Sequence, residues 1–268
     1  MYAPKDKKEL IVPVRLGLQS KFTFSCDKDM ACFTKCCRDI YIILTPYDII
    51  RIKNRLQMDS AEFLAGFTRP GKIDNTELPV PILKTLEDEE KTCPFLTKKE
   101  GCSIYDVRPA TCRYYPIGAG IFHNKDEAAD EKFFALIKEA HCLGHDLGEE
   151  RTVAEWRTSQ GLDDYDEVNA GWIEIILKRK SLGPFVTIPD KTLQMFFMGC
   201  YNLDAFRRFV FESRFLDVFD VPEDQLNRMK EDDAALLAFA TKWLKKTFFG
   251  EGDLPIKEQV VEGDSIET

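Results

Sequence analysis

The sequence lacks several features that would assign the chain to a membrane or nucleic-acid class. No window of its 268 residues approaches the roughly 18 uncharged apolar residues of a membrane span, and the start, MYAPKDKKEL, lacks the apolar core of a signal peptide. Lys and Arg number 37 against 46 Asp and Glu, and the net charge of -9 repels a phosphate backbone. We therefore predict a cytoplasmic protein with neither a membrane nor a nucleic-acid partner.

The composition is that of a folded protein. Hydrophobic residues make up 44% of the chain and include 20 Phe, which is ample for a core in one or two domains. Eight of the nine cysteines fall before residue 150, so the chain has two unlike parts. We predict a cysteine-cluster metal-binding domain over 1–150, a helical domain over 151–250 and a flexible acidic tail over 251–268. The expected fold class is α+β, mainly helical, with a loop-rich first domain.

Sequence patterns typical of helix N-termini occur in both parts. Ser, Thr and Asp favour N-cap positions, a Glu three residues later completes a capping box, and Pro suits the first turn. These signals occur at Thr45–Pro46, Asp59 with Glu62, Thr152 with Glu155, Pro189 and Pro222. Later segments also carry apolar residues at helical spacing, at Trp172, Ile175, Ile176, Leu236, Leu237, Ala240 and Leu244. The segment KFFALIKEAHC fits either a strand or a helix.

The cysteines are the main chemical signal. CDKDMACFTKCC provides four of them and CPFLTKKEGCSIYDVRPATC another three. A reducing cytosol makes thiolate ligands more plausible than a disulfide framework, and soft thiolates on loops suit Zn²⁺ or an iron–sulfur centre. The gaps of five, eight and nine residues between successive cysteines do not match zinc-finger pairs. The site must therefore be assembled by tertiary folding.

The adjacent Cys36 and Cys37 bear on the number of centres. Consecutive side chains diverge in a strand or a helix, so we expect this pair to serve different metal atoms or different sites. Eight thiols fit two four-thiolate centres. They equally fit one four-thiolate iron–sulfur cluster with the other thiols on a second ion or free. Their number favours an iron–sulfur cluster over a single zinc ion.

Other residues near the cysteines are candidates for supporting roles. A multi-thiolate site carries excess negative charge, which Arg38, Arg108 and Arg113 could offset unless they are ordinary surface arginines. Imidazole also binds zinc and iron, but His123, His141 and His145 are weaker candidates because an unassigned histidine is usually structural. Cys200, within an amphipathic helix, is expected to be a buried apolar residue.

Five segments together resemble one known family. They are CDKDMACFTKCC, LTPYDIIRIKNRLQMDSAEFL, CPFL, GCSIYDVRPATCRYYP and HCLGHDLGE. This series resembles the YkgJ-like cysteine-cluster proteins, described as zinc- or iron-chelating domains, to which flagellin lysine methylase is distantly similar. The resemblance covers roughly residues 22 to 150. It implies metal ligation by Cys26, Cys32, Cys36, Cys37, Cys93, Cys102, Cys112 and Cys142, with either zinc or an iron–sulfur (4Fe-4S) cluster as the cofactor.

Three functions remain open at this point. The first is a metal-binding protein whose cluster or zinc has a structural or redox role. The second, implied by similarity to the methylase, is a protein lysine methyltransferase that uses S-adenosylmethionine and carries an iron–sulfur cluster. Gly118–Gly120 lacks the third glycine of a nucleotide-binding turn and is predicted to be an ordinary turn. The third is an adaptor whose C-terminal helices, through RRFVFESRFLDVF, bind an unidentified protein. Whether the chain is an enzyme is left undecided.

Overall fold

The structure, a computed structural model, describes residues 10–11, 15–122, 131–183 and 186–257. It is α+β and mainly helical, as predicted. The strands of the described chain are β1 (Leu10–Ile11), β2 (Lys21–Phe24), β3 (Thr68–Lys72), β4 (Pro79–Leu83), β5 (Leu96–Thr97), β6 (Gly101–Cys102), β7 (Ile117–Phe122), β8 (Glu131–Lys138) and β9 (His145–Thr152). The helices are α1 (Pro46–Leu56), α2 (Ser60–Phe67), α3 (Ala110–Tyr114), α4 (Val153–Ser159), α5 (Leu162–Val168), α6 (Ala170–Ser181), α7 (Asp190–Tyr201), α8 (Leu203–Glu212), α9 (Phe215–Val218), α10 (Glu223–Glu231) and α11 (Asp233–Phe249).

Internal contacts divide the described chain into two units. The cysteine unit comprises the residues up to Ile42 together with Leu83–Asp166, and the helical unit comprises Ile43–Ile82 together with the residues from Glu167 onward. Residues 43–82 group with the later helices because α1 packs on α7 and α11, and α2 packs on α8. The three-part division at residues 150 and 250 stays a prediction, and most of the proposed tail lies outside the described residues.

The predicted helix starts are confirmed. Capping boxes open α1 at Thr45, α2 at Asp59 and α4 at Thr152, each with an acidic side chain three residues on that accepts a hydrogen bond from the N-cap backbone. Pro189 and Pro222 immediately precede α7 and α10. These starts are local events, because each uses side chains within one turn of the helix that it opens.

An aromatic core fills the helical unit. Phe206 is fully buried, with its ring centroid 5.4 Å from that of Trp243 on α11. In the Phe-rich segment proposed for partner binding, Phe215 is buried and the centroid of Phe209 lies 5.5 Å from that of Trp243. These two rings therefore belong to the core rather than to a free face. No described helix combines the length and apolar character that crossing a bilayer requires.

The cysteine unit contains shorter elements and a smaller apolar cluster. Its strands pair as β1-β8-β7, β2-β9 and β5-β6, all antiparallel. Its apolar cluster consists of Phe22, Phe24, Ile117, Phe134 and Val153. Hydrogen bonds in loops and turns therefore position much of the chain that carries the cysteines.

Strands β7 and β8 include two segments whose structure the sequence left open or predicted differently. KFFALIK of the ambiguous segment lies in β8. The turn predicted at Gly118–Gly120 is wrong, because these residues lie in β7 and pair with β8. A Cβ at Gly120 would fall 2.4 Å from the Phe133 ring, which covers the glycine across the strand pair. Glycine here makes room for an aromatic side chain rather than for a nucleotide phosphate.

Candidate metal centre

All eight predicted ligands lie in the cysteine unit. Cys36 and Cys37 lie in a short 3-10 turn, Cys102 ends β6 and Cys112 lies in α3, while the others lie on loops. Cys32 and Cys93 are buried, Cys37, Cys102 and Cys142 are half-buried, and Cys26, Cys36 and Cys112 are exposed. None of these residues forms a disulfide bond, so all eight carry thiols.

The segments of Cys26, Cys32 and Cys142 are brought together by direct contacts. The Ser25 amide donates to the Gly144 carbonyl at 3.0 Å, and the Leu143 amide donates to the Cys32 Sγ at 3.3 Å. The approach at Gly144 requires glycine, because a Cβ there would lie 2.1 Å from the Ser25 carbonyl oxygen. Burial, followed by the thiolates of Cys36, Cys142 and Cys32, raises the pKa of Cys26 to about 11. These cysteines are therefore electrostatic neighbours.

The adjacent pair is held in an unusual local conformation. Thr34, which precedes the 3-10 turn, has a left-handed backbone with φ of 64°. The neighbouring Cys37 thiol, together with burial of the Cys36 sulfur and the nearby Glu139, raises the pKa of Cys36 strongly. The two thiols are therefore electrostatic neighbours in this turn.

A set of hydrogen bonds, here called the loop clasp, joins the segments 34–39 and 88–93. The Cys93 amide donates to the Cys37 carbonyl at 2.8 Å, and Arg38 forms a β-bridge with Thr92. The Arg38 Nε donates to Glu90 Oε2 at 2.9 Å while its Nη1 donates to the Thr34 carbonyl at 2.8 Å. Residues such as Arg38 and Glu90, 52 positions apart in sequence, are thereby fixed together.

Cys93 and Cys102 lie together on the β5-β6 hairpin. Leu96 pairs with Cys102, and the Leu96 amide donates to the Cys93 carbonyl at 3.0 Å. Burial is the main cause that raises the pKa of Cys93 to about 11, and the thiolates of Cys102 and Cys36 add to it against a backbone hydrogen bond from Phe95. Burial likewise raises the pKa of Cys102. The hairpin therefore presents a second pair of neighbouring thiols.

The three candidate arginines have different roles. Arg108 is partly desolvated, which lowers its pKa, but the thiolates of Cys112 and Cys102 act in the opposite sense. Its guanidinium lies 3.9 Å from the centroid of the Tyr105 ring and donates to the Tyr105 carbonyl. The buried Arg113 instead donates to backbone carbonyls, among them that of Gln160 at 2.7 Å. Arg108 is thus the arginine that supplies positive charge to cysteine thiolates.

Two of the candidate histidines, His141 and His145, lie close in sequence to Cys142. His141 Nε2 is 3.3 Å from Glu139 Oε2. The His145 ring packs on Phe24 with centroids 5.4 Å apart, and burial lowers its pKa. Its buried Nδ1 has no hydrogen-bond partner among the residues that the structure describes. His123 lies outside the described residues.

Sequence reasoning missed Tyr115, which contacts the site. Its hydroxyl lies 3.5 Å from the Nε2 of His145 and is an electrostatic neighbour of the Cys142 thiol. Burial and the Cys142 thiolate raise the pKa of this hydroxyl strongly. It belongs to the quoted CRYYP segment, but adjacency to Cys142 depends on a contact between distant parts of the chain that no local pattern encodes.

The donor chemistry fits a thiophilic metal, although the coordination geometry is not formed. Among the residues that the structure describes, no three His, Cys, Asp or Glu groups converge closely enough to surround one ion. The thiols are nevertheless neighbours, and proximity of several thiolates disfavours their joint ionisation unless a cation offsets the charge. Zinc or an iron–sulfur cluster would supply that charge, and side chains would have to move to complete its ligand shell.

Comparison with known families agrees with this picture. Residues 25–142, less than half of the chain, match the CxxCxxCC family, described as a putative zinc- or iron-chelating domain. The match starts one residue before Cys26 and ends at Cys142, so it spans all eight clustered cysteines. The resemblance stated from the sequence is confirmed. No curated protein and no solved structure matches the chain.

Proposed function

We propose, on the premise that residues 25–142 carry a zinc- or iron-chelating domain of the CxxCxxCC family, that this chain holds an iron–sulfur cluster or zinc through its clustered thiols. The proposed ligands are Cys26, Cys32, Cys36, Cys37, Cys93, Cys102, Cys112 and Cys142. The observation that carries the proposal is that the family match spans all eight cysteines, which the fold gathers into one unit.

The way in which the cysteine unit is built supports a structural role for the metal. Several of the thiols lie on loops that are joined by a few hydrogen bonds, such as the 3.3 Å contact between the Leu143 amide and the Cys32 Sγ. A metal bonded to thiolates from several loops cross-links them, and its binding free energy then contributes to folding. An iron–sulfur cluster would in addition exchange electrons. Eight thiols exceed the roughly four that either one zinc ion or one iron–sulfur cluster binds.

Metal analysis of the full chain tests this proposal. We expect anaerobically purified protein to contain iron and acid-labile sulfide, with a brown colour that is lost on oxidation. Colourless protein that contains zinc would support metal binding and would identify zinc, rather than an iron–sulfur cluster, as the cofactor. Cys93→Ser should lower the metal content, whereas Cys200→Ala should not, because Cys200 is a fully buried residue of the helical unit. A folded wild-type chain that binds neither metal after reconstitution would refute the proposal.

The structure adds no independent support for the two alternatives. A methyltransferase using S-adenosylmethionine would need a cofactor site, and the glycines considered for one lie within β7 opposite β8. An adaptor function would need a free apolar face on the Phe-rich segment, whereas Phe215 is buried and Phe209 packs against Trp243. We therefore propose metal binding as the function of this chain.

A further inference from the structure

The buried Arg113 follows Cys112 directly and joins two segments of the cysteine unit. Its side chain is 8% exposed. The Nε donates to the Arg108 carbonyl at 3.1 Å and the Nη2 donates to the Asp106 carbonyl, both in the turn that precedes α3. The Nη1 donates to the Gln160 carbonyl at 2.7 Å, at the end of α4. One guanidinium thereby ties the backbone before Cys112 to a segment that begins after β9.

The geometry of these bonds depends on the shape of the arginine side chain. A guanidinium presents five N–H donors in a rigid planar fork, whereas a lysine ammonium is a compact charge that cannot reach carbonyls on two sides at once. The Cζ of Arg113 lies over the buried Tyr165 ring of α5, 4.8 Å from its centroid. The fork is therefore held by α5 as well as by α4.

The residue after Arg113 has further contacts with the same two helices. The Nε1 of Trp156, on α4, donates to the Tyr114 carbonyl at 3.3 Å. The Tyr114 hydroxyl donates to Asp166 Oδ1, on α5, at 2.8 Å. Two consecutive residues of α3 are thus fixed to α4 and α5, so the position of the adjacent Cys112 depends on these helices.

Both of these helices lie outside the family match, which ends at Cys142. The helix α4 begins at Val153, and the cysteine unit continues to Asp166 in α5. Cys112 itself lies in α3, which has only five residues. Isolated helices shorter than about 12 residues are marginal in water. The conformation of α3 therefore depends on tertiary contacts, several of which come from beyond the chelating domain.

We propose that Arg113 is a positioning residue that holds Cys112 as a metal ligand by anchoring α3 to α4 and α5. The metal-binding part of this chain then extends beyond the family match to Asp166. This inference rests on the proposed function and assigns a role in it to residues that supply no ligand. The guanidinium acts through three backbone carbonyls rather than on the metal. Loss of the fork should therefore release Cys112 while the other clustered thiols keep their metal.

Site-resolved alkylation of the reduced full chain tests this role. The chain is loaded anaerobically with Zn²⁺ alone and treated with iodoacetamide, and mass spectrometry of its peptides measures the rate at each cysteine. In Arg113→Lys, which keeps the charge and removes the fork, we expect Cys112 to react about tenfold faster, since hydrogen bonds from a charged group are lost. Rates at Cys32 and Cys93 should stay near their wild-type values. Arg151→Lys, at an exposed arginine of β9, is the matched control and should behave as the wild type.

A second variant weakens the same anchor from its other end. Gly161 follows Gln160 with φ of 61°, a left-handed conformation that favours glycine. A Cβ there would lie 3.9 Å from the Arg113 Nη1, which is an ordinary contact. Gly161→Ala therefore strains the turn between α4 and α5 without a clash, and we expect a smaller rise in rate at Cys112. Circular dichroism checks that each variant folds.

Three results would contradict the proposal at different levels. An unchanged rate at Cys112 in Arg113→Lys, or in Gly161→Ala if the first variant does not fold, would overturn the positioning role, as would an equal rise at all clustered thiols. A wild type whose other thiols are protected while Cys112 reacts equally fast with and without zinc would overturn it too, and would leave the proposed function intact. If zinc protects none of the thiols, the folded wild type is reconstituted with iron and sulfide, and absence of protection there as well would overturn the proposed function.

Discussion

The two units of this protein differ in the side chains that they bring together. The helical unit is filled with hydrocarbon and aromatic rings, including Phe196, Phe206 and Phe239, each at most 1% exposed. The cysteine unit has a smaller apolar cluster and carries eight thiols on loops and short elements. Burial of apolar surface stabilises a fold without any ligand, whereas neighbouring thiols gain most of their stabilising effect when a metal binds them.

This difference implies that the units depend on metal to different degrees. The helical unit also contains a buried lysine that pairs with two carboxylates. Lys53 is 5% exposed and pairs with Asp204 at 3.4 Å and Asp233 at 3.0 Å. In the cysteine unit, by contrast, the clustered thiols contain no formed three-ligand site among the described residues. The following substitutions test whether the contrast holds.

The largest effect of a substitution is expected in the aromatic core. Phe206→Ala removes a fully buried ring that packs on Trp243, and the cavity should cost about 3–5 kcal/mol in the free energy of unfolding. Hydrogen exchange resolved by segment would report the loss in α7, α8 and α11. Metal content should equal that of the wild type, and the exposed Arg208→Ala serves as the control. A matching loss of metal would contradict the separate origins of stability.

The buried ion pairs predict a smaller, pH-dependent effect. Burial raises the pKa values of Asp204 and Asp233, but hydrogen bonds and the charges of Lys53 and Arg207 outweigh it, so both pKa values are lowered. A lowered pKa stabilises the fold above the ordinary carboxyl pKa, and this stability is lost as pH falls through the lowered value.

Removing the lysine should therefore make the helical unit more sensitive to acid. In Lys53→Met both carboxylates lose a partner, and we expect about 3 kcal/mol of destabilisation at neutral pH and an acid-unfolding midpoint at higher pH. Circular dichroism during acid titration measures both. Lys245→Met, which removes a more exposed ion pair with Glu174, is the control and should leave the midpoint near its wild-type position. An unchanged midpoint in Lys53→Met would count against this role of the pair.

The smallest effect should fall in the cysteine unit, at the loop clasp. Arg38 pairs with Glu90 near the surface and holds the Thr34 carbonyl, so Arg38→Ala should loosen the segment that carries Cys36 and Cys37. We expect metal affinity to fall about fivefold, equivalent to about 1 kcal/mol, in a chelator competition. Arg214→Ala, at an exposed pair in the helical unit, should leave affinity unchanged. Equal effects of the two variants would assign the clasp no part in holding the metal.

Local signals in the sequence predicted the helices well. The capping boxes at Thr45, Asp59 and Thr152 operate within one helical turn, so composition and spacing suffice to identify them. The buried faces of α6 and α11 likewise follow from helical periodicity, as at Ile175 and Leu244.

The arrangement of the thiols could not be predicted in the same way. The proximity of the Cys36 and Cys37 thiols depends on a turn preceded by Thr34 in a left-handed conformation, which a threonine does not signal. The approach of Cys93 to Cys37 depends on the loop clasp, and that of Tyr115 to Cys142 on a similarly long-range contact. Composition predicts a metal-binding class, but the ligand sets depend on tertiary contacts.

Segment-resolved hydrogen exchange of the full chain, before and after anaerobic removal of metal, measures how far the cysteine unit depends on metal. We predict that removal of metal lowers protection in residues 26–42 and 83–122 while α7, α8 and α11 keep theirs. Unchanged protection in the cysteine unit, with metal demonstrably bound and then removed, would contradict the claim that thiolate–metal bonds order this part of the chain.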